Sequence, residues 1–453
     1  MIDPLLTRQD SWESNARSYP RMLPLALARA KGMTVTATDG RIFLDCLTGA
    51  GALSLGHGHP VVVEALENAL AAGLPWQILD LTTPAKDSFV TELFSRLPAE
   101  LARGGRIQFC GPSGADAVEA AVKLTKIATG RRSILAFSGG YHGMTHGGMA
   151  VTGDVGVKAP IPGLPSDVYF LPYPYPYRCP FGVGEDGHRV ASRYVERLLD
   201  DPMSGIAPPA AVLVEPVQGQ GGVLPAPDEW LREIRRITAE RRIPLILDEV
   251  QTGGGRTGTL FAFERAGVVP DVLVLSKALG GGLPLAVVVY RGELDRWEPG
   301  AHAGTFRGNQ LAMITGAAAL RFTVEQRLPQ HAAVMGDRLM AHLRSVQRSS
   351  TAIGAVRGRG LMIGVEIVAP NGAPDLLGAR PAAPALARTM QANCLDRGLM
   401  VEVAGRHGSV VRFLPPLVIT AEQVDDVAER FADAVAAAER TPAREPETAD
   451  MLS

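Results

Sequence analysis

Three ionisable residues follow short apolar runs in the chain, and their side chains have the chemistry of an enzyme site. Two are acids, Glu215 and Asp248, and the third is an amine, Lys277. In open parallel sheets, ligands bind beyond the carboxyl ends of the strands. Since ionisable groups at such ends are partly desolvated, their pKa values shift in ways that serve function. The pattern therefore indicates candidate functional residues at the ends of predicted strands.

Lys277 is the candidate nucleophile. A lysine amine is nucleophilic only when it is neutral, and partial burial lowers its pKa towards that state. Three glycines follow, Gly280 to Gly282, and they allow backbone to approach a bound group because glycine has no Cβ. Taken alone, this pattern is more often that of a surface lysine beside a flexible loop. The residues at the other strand ends make the functional interpretation of Lys277 the stronger one.

Asp248 ends an apolar run, so its carboxylate is expected to be buried. A buried carboxylate needs a partner because an unpaired charge in the interior is costly. A protonated pyridine nitrogen is one such partner, and its protonation makes the ring an electron sink. The alternative is an aspartate that only caps the next loop.

Two further segments could bind the rest of a cofactor. Gly111–Asp116 link a strand to a helix, and the Ser113 hydroxyl with the free N–H groups of the helix start would suit a phosphate. Tyr141, next to His142 on a glycine-rich turn, offers a ring that can stack on a planar group. Each signal is weak alone, since many such turns bind nothing. With Lys277 and Asp248 they form the set that pyridoxal 5'-phosphate (PLP) requires.

The elements that would position these residues alternate between strands and helices. Helical patterns cover residues 115–128 and 228–241. Continuous apolar runs predict strands that are buried on both faces; they are residues 106–110, 210–215, 243–248, 271–276 and 285–290. This alternation predicts an α/β fold whose large domain carries a mainly parallel mixed sheet.

The last third of the chain predicts a smaller α+β domain. Strands are expected at 358–367 and 410–414, and helices at 384–397 and from Thr420, as the cap, to about 438. We expect three parts of the chain: a large PLP-binding domain, a small domain made of both chain ends, and a polar, disordered tail. Their bounds are residues 66–329, residues 1–65 together with 330–440, and residues 441–453, respectively.

Composition restricts the class of protein. The 453 residues are too many for one small core, and the formal charge of −2 gives no long-range attraction to nucleic acid or membrane. The four cysteines form no C-x-x-C pair, and scattered cysteines are usually reduced thiols of cytoplasmic proteins. We see neither a signal-peptide pattern nor an apolar run of bilayer length. We therefore expect a cytoplasmic protein with small-molecule partners; no metal-ligand pattern arises from His57, His59, His146 and His302.

Two segments together resemble the signature of the class III (ω-amino) aminotransferases. They are residues 247–258, LDEVQTGGGRTG, and residues 276–284, SKALGGGLP. The resemblance covers the chain from about Arg41 to Ala438 and is specific, because several motifs recur in order. It implies the fold type I architecture of PLP-dependent transferases, and PLP as the cofactor.

The resemblance also implies a role for each site residue. Lys277 would bind the cofactor covalently and move the proton during catalysis, and Asp248 would pair with the pyridine nitrogen. Glu215 would help to order the neighbourhood of Gln251 and Lys277. The remaining implied cofactor contacts are Ser113, Gly114 and Ala115 at the phosphate, Tyr141 with its neighbour His142 and Val250 at the ring faces, Gln251 at the phenolic oxygen, and Thr305 at the phosphate of a neighbouring subunit. A homodimer with shared active sites follows from the last contact.

Arg412 resembles the family's arginine that grips a substrate carboxylate in bidentate fashion. The sequence departs from the family at Gln220, where a glutamate often pairs with that arginine. We expect Gln220 to hydrogen-bond Arg412 without neutralising it, so that the site stays more positive. Gly254 also replaces a bulky family residue and would widen the site.

Three loop segments resemble those members of the family that act on a diamino acid. They are residues 108–119, 172–180 and 304–310. The resemblance implies transfer of a terminal amino group between a diamino acid, with L-2,4-diaminobutyrate as the first candidate, and 2-oxoglutarate, by a ping-pong mechanism. The reverse reaction would aminate aspartate semialdehyde from glutamate.

Other functions share these motifs. A PLP-dependent racemase, epimerase, aminomutase or decarboxylase would keep every cofactor residue, and so would an aminotransferase for another ω-amine. Only an aminotransferase requires an amino acceptor. A non-catalytic scaffold is the remaining alternative, and the intact Lys277 and Asp248 argue against it.

Overall fold

The computed structural model describes residues 3–440, so the tail predicted at 441–453 lies outside the described residues. The strands are β1 (Leu27–Lys31), β2 (Thr34–Ala37), β3 (Ile42–Asp45), β4 (Arg106–Phe109), β5 (Ile134–Phe137), β6 (Val168–Leu171), β7 (Ala211–Val214), β8 (Val217–Gln218), β9 (Leu224–Pro225), β10 (Leu245–Asp248), β11 (Val272–Leu275), β12 (Val287–Tyr290), β13 (Ile353–Arg359), β14 (Met362–Ile367), β15 (Leu399–Met400), β16 (Glu402–Ala404) and β17 (Val410–Phe413).

The helices are α1 (Pro4–Trp12), α2 (Tyr19–Met22), the short turn α3 (Thr48–Gly51), α4 (Pro60–Ala71), α5 (Pro84–Phe94), α6 (Ala99–Ala102), α7 (Gly114–Thr129), α8 (His146–Val151), α9 (Val155–Lys158), α10 (Gly187–Asp200), α11 (Asp228–Glu240), α12 (Gln310–Glu325), α13 (Leu328–Ser349), α14 (Pro384–Asp396) and α15 (Ala421–Arg440). In residues 3–440, no helix combines the length and hydropathy that a bilayer crossing needs.

A seven-stranded sheet forms the centre of the molecule, in the order β4-β12-β11-β10-β7-β5-β6. Its strands are parallel apart from β12, which runs antiparallel to both of its neighbours. The five predicted strands are confirmed, each one or two residues shorter than expected. Consequently the carboxyl ends of β7, β10 and β11 lie side by side at one edge.

Both faces of this sheet are buried, which explains its continuous apolar runs. In β10, Leu245 and Leu247 belong to a core with α11, whereas Ile246 belongs to a second core with α7. The helical pattern at residues 115–128 predicts an apolar stripe of Ala117, Ala120, Ala121, Leu124 and Ile127. The first four are buried in α7, whereas Ile127, at the margin of the stripe, is 46% exposed. The two helices therefore cover opposite faces of the sheet.

The chain ends build two smaller sheets. One has the order β1-β2-β3-β15, so a strand from the last third of the chain pairs with N-terminal strands. The other is antiparallel, in the order β13-β14-β17-β16. The strand expected at 358–367 was wrong in part, because residues 358–359 end β13 and the chain reverses at Gly360 before β14. Both sheets contribute to one apolar core, which supports the predicted two-domain division; its bounds stay a prediction.

Candidate active site

The three charged residues that the sequence singled out lie at one edge of the large sheet. Asp248 is the last residue of β10, Glu215 follows β7 directly, and Lys277 follows β11 after one residue. Since β7, β10 and β11 are adjacent and parallel, the side chains of Glu215, Asp248 and Lys277 converge at this edge. The charges of Asp248 and Glu215 both raise the pKa of the Lys277 amine, which shows that the three groups are close.

Asp248 is held by His142 and by its own backbone. One carboxylate oxygen, Oδ2, forms a hydrogen bond with His142 Nδ1 at 2.7 Å, and Oδ1 accepts the Val250 N–H at 3.0 Å. Both Asp248 and His142 are buried. Burial alone would lower the pKa of His142, but the hydrogen bond and the charge of Asp248 raise it. His142 therefore fixes the orientation of the Asp248 carboxylate.

Glu215 orders the turn that carries Tyr141. Its two carboxylate oxygens accept the N–H groups of Tyr141 and Gly219, each at 2.9 Å. Burial is the main reason that the pKa of Glu215 is raised to about 7. The Gln251 side chain is not held by Glu215 directly. It donates to the Ala50 carbonyl and accepts a hydrogen bond from Arg412.

The amine of Lys277 has a lowered pKa. Burial in the first place and the positive charge of Arg412 in the second lower this pKa to about 8, against the opposing effect of the carboxylates. Lys277 begins a turn of 3-10 helix with a φ of +47°, a left-handed conformation that costs energy for a residue with a Cβ.

The N-terminus of α7 lies where the sequence predicts a phosphate cradle. Ser113 is the N-cap, and its Oγ accepts the Asp116 N–H at 3.3 Å. A Cβ on Gly114 would lie 2.8 Å from Val250 Cγ1, and one on Gly143 would overlap Ala115. The cradle therefore packs directly against the residues after β10 and against the Tyr141–Gly143 turn.

These residues fit PLP in chemistry and in placement. A buried acid, an amine of lowered pKa, a helix N-terminus that begins with glycine and a 37%-exposed tyrosine ring surround one region. A planar group with a basic ring nitrogen, an aldehyde and a phosphate has a partner for each part among them.

Thr305 lies apart from this cluster. It is exposed, its carbonyl accepts a hydrogen bond from Gln77 Nε2 at 2.7 Å, and it lines a surface cavity with Leu79 and Arg307. No recorded contact within residues 3–440 joins it to Lys277 or Asp248. The expected contact of Thr305 with the phosphate of a neighbouring subunit stays a prediction.

Arg412 reaches the site from the small antiparallel sheet. It is 2% exposed, its Nη1 donates to Gln251 Oε1 at 3.1 Å, and its Nη2 forms an ion pair with Glu402. Glu402 and Arg412 face each other across β16 and β17. The expectation of a more positive site is therefore wrong, because Glu402 supplies a carboxylate that the sequence did not reveal.

Gln220 does not contact Arg412 as expected. Its side chain is exposed, and its carbonyl accepts the Gly405 N–H at 2.9 Å. The donors of Arg412 are directed instead to Gln251 and Glu402. Gly254 has a φ of +73°, and a Cβ there would lie 3.2 Å from that of Ala278. Backbone conformation is thus a second reason for glycine at this position.

Glu402 is the charged residue at this site that the sequence did not single out. The available signal was a charged residue inside each of two apolar runs, Val401-Glu402-Val403 and Val411-Arg412-Phe413, joined by a turn. Opposite charges in paired buried strands are expected to face each other. Tyr19 completes the group, since its hydroxyl donates to Glu402 Oε1 at 3.3 Å.

Comparison with known proteins agrees with this geometry. Residues 14–435 match the family model described as aminotransferase class-III, and the chain belongs to that family. Among solved structures, an amine transaminase from an uncultivated Pseudomonas species in its PLP-bound form has a TM-score of 0.84 at 26% identity, covering 94% of this chain and 98% of that one. An (S)-enantioselective ω-transaminase from Thermomicrobium roseum has a TM-score of 0.85 at 28% identity, covering 96% and 98%. The fold is therefore the α/β fold of PLP-dependent transaminases, as predicted.

Two proteins that are similar in sequence have names that specify the substrates. The diaminobutyrate–2-oxoglutarate aminotransferase of Rhizobium meliloti (strain 1021) is 55% identical over 430 residues, 95% of this chain and 92% of that protein. A protein of the same name from Haemophilus influenzae is 48% identical over 431 residues, 95% of this chain and 94% of that protein.

Proposed function

We propose that this protein transfers the terminal amino group of L-2,4-diaminobutyrate to 2-oxoglutarate, with PLP as the cofactor. The observation that carries the proposal is that Asp248 and Lys277, whose amine has its pKa lowered to about 8, lie at the ends of adjacent parallel strands in a fold shared with the transaminases. The substrate pair is that named for relatives 55% and 48% identical to the chain. The products would be aspartate semialdehyde and glutamate.

Each part of the cofactor would have a defined partner. PLP, when bound, supplies an aldehyde that condenses with amines and a ring that withdraws electrons from the carbon bearing the nitrogen. Asp248, oriented by His142, would keep the ring nitrogen protonated. The other proposed contacts are Ser113, Gly114 and Ala115 at the phosphate, Val250 and Tyr141 on the two ring faces, and Gln251 at the phenolic oxygen.

Lys277 would then act as an acid and a base. With PLP bound, Nζ would take the proton from the reacting carbon of the substrate and return it to the carbon that bore the cofactor's aldehyde oxygen. A pKa of about 8 supports both directions near neutral pH. The same residue would serve both halves of a ping-pong reaction, with Arg412 holding the carboxylate of the oxo acid.

We also propose a homodimer in which Thr305 reaches the phosphate in the partner's site. Trp76, Leu81 and Phe306 are each at least two-thirds exposed, and the Gln77–Thr305 hydrogen bond joins their two segments. An exposed apolar group of this kind is typical of an interface. The four cysteines are buried free thiols, which supports the predicted cytoplasmic location.

A substrate panel tests the function. The purified holoenzyme should form glutamate from 2-oxoglutarate fastest with L-2,4-diaminobutyrate among diamino acids and ω-amines. With pyruvate as the acceptor it should form alanine, and more slowly. Conversion of diaminobutyrate without any acceptor would identify a racemase, aminomutase or decarboxylase instead. A faster reaction with another ω-amine would move the assignment within the family.

A further inference from the structure

Arg256 is a buried arginine that has no acidic partner. Its side chain is 2% exposed, and no carboxylate of residues 3–440 is among the charges that act on its pKa. Burial lowers the pKa of the guanidinium to about 10, so the group is still charged near neutral pH. One nitrogen, Nη2, is buried without an acceptor among the described residues. A buried charge without a counter-ion is costly, and proteins keep such costs mainly at functional sites.

The Arg256 side chain donates to two backbone carbonyls. Nη1 forms hydrogen bonds with the carbonyl oxygen of Leu361, at 3.2 Å, and with that of Pro415. The backbone of Arg256 contacts the same place, because its own carbonyl accepts the Leu361 N–H at 3.0 Å. A Cβ on Gly360 would lie 2.7 Å from the Arg256 carbonyl oxygen, so the two main chains meet here without space for a side chain. Arg256 is therefore joined to this part of the molecule by main chain and side chain together.

The two carbonyls lie at one end of the strand pair that carries Arg412. Leu361 directly precedes β14, and Pro415 follows β17 after one residue. In this antiparallel pair Gly364 faces Arg412, so Leu361 and Pro415, three residues further along each chain, lie side by side. Arg256 therefore anchors the end of the strand pair that is next to Arg412.

Arg256 belongs to the same continuous segment as two residues of the cofactor region. The segment begins at Asp248, the last residue of β10, and reaches Arg256 through a series of turns. Between them, Gln251 Oε1 accepts a hydrogen bond from Arg412 Nη1 at 3.1 Å. Residues 248–256 thus contact the Arg412 side chain at one point and the backbone beyond it at another. This segment therefore relates the position of Arg412 to that of Asp248.

We propose that Arg256 is a positioning residue for the oxo acid: it holds the strand that carries Arg412 at the distance from the cofactor region that the substrate carboxylate requires. This step rests on the proposed function, in which Arg412 grips the carboxylate of 2-oxoglutarate. A bidentate grip needs two N–H groups aligned with two oxygens, and a displacement of about 1 Å can cost about 100-fold in rate. Arginine suits the anchoring task because its planar guanidinium is rigid and holds its donors in a fixed geometry.

The variant Arg256→Met separates this role from a general structural one, since methionine occupies similar space without charge or donors. KM for 2-oxoglutarate should rise about tenfold, whereas kcat, the amino-donor half-reaction and the visible absorbance of bound PLP should change less than about twofold. Parallel losses of kcat and of this absorbance would overturn the proposal. If Arg256→Met does not fold, Arg256→Lys decides. It keeps the charge but loses the planar group, so an unchanged KM for 2-oxoglutarate in that variant would also overturn the proposal.

Arg131→Met is the matched control. Nη1 of Arg131 also donates to two backbone carbonyls, those of Pro209 at 3.1 Å and Arg242 at 3.2 Å. These carbonyls precede β7 and β10, at the edge of the large sheet opposite to Lys277. The control should lower thermal stability and leave KM for 2-oxoglutarate unchanged. An equal rise of KM in Arg131→Met would mean that Arg256 has no special role.

Binding of glutarate to the holoenzyme provides a measurement that needs no turnover. This dicarboxylate has no ketone group, and calorimetry should show a Kd about tenfold higher in Arg256→Met than in the unaltered protein. In an Arg412→Ala background, Arg256→Met should cause no further change, because Arg256 acts through Arg412. Equal weakening in both backgrounds, or none in Arg256→Met alone, would refute the proposal. The amino donor takes no part in this measurement, so a wrong donor would leave the result intact and the two proposals fail separately.

Discussion

The cofactor region and the substrate region of this site are built in different ways. The cofactor region takes Glu215, Asp248 and Lys277 from the ends of adjacent parallel strands, so its geometry follows from the order of strands in one sheet. The substrate region takes Arg412 and Glu402 from the middle of two antiparallel strands, so its geometry follows from their register. The first arrangement brings together residues from distant parts of the chain, and the second places two opposite charges face to face within one hairpin.

The largest expected effect tests the cofactor region. Lys277→Ala removes both the covalent attachment and the acid–base group, and turnover should fall at least about 10⁴-fold. The visible absorbance of the covalently bound cofactor should disappear at the same time. Retained absorbance together with turnover would show that another amine does this work.

A smaller effect is expected in the substrate region. Arg412→Lys keeps a positive charge beside Glu402 but loses the two-pronged grip on a carboxylate, so kcat/KM for 2-oxoglutarate should fall about 100-fold. The diaminobutyrate half of the reaction, followed by itself, should change less than about threefold. Equal losses of rate in the two half-reactions would mean that Arg412 is not specific to the half-reaction with 2-oxoglutarate.

The smallest effect connects the two regions through pH. With a pKa of about 8, the neutral fraction of Lys277 rises from about 10% at pH 7 to about 90% at pH 9. The rate at which the cofactor-free protein captures PLP should therefore rise about ninefold over this range and then level off. Arg412→Ala should move the profile to higher pH, because the charge of Arg412 lowers this pKa; Arg412→Lys, which keeps the charge, should not. A rate that continues to climb tenfold per pH unit to pH 10 would indicate an exposed lysine.

The same contrast explains what the sequence could predict. Strands with continuous apolar residues and the polar residues that end them are local features, so the large sheet, Asp248 and Lys277 were found in advance. Glu402 was missed because its importance arises from a partner ten residues away across a hairpin. The Gly360 reversal was missed for a similar reason, since residues 358–367 are equally compatible with one strand or with the meeting of two.

The contacts of Gly114 and Gly143 have a consequence for ligand choice. Because neither glycine has space for a side chain, the tyrosine turn, the start of α7 and the residues after β10 form a single rigid block. The separation between the surface that would face an aromatic ring and the N–H groups that would face a phosphate is then set by packed backbone. The block therefore selects ligands by length. A vitamer without its phosphate, or with a longer arm between ring and phosphate, would contact either the ring surface or the N–H groups, but not both.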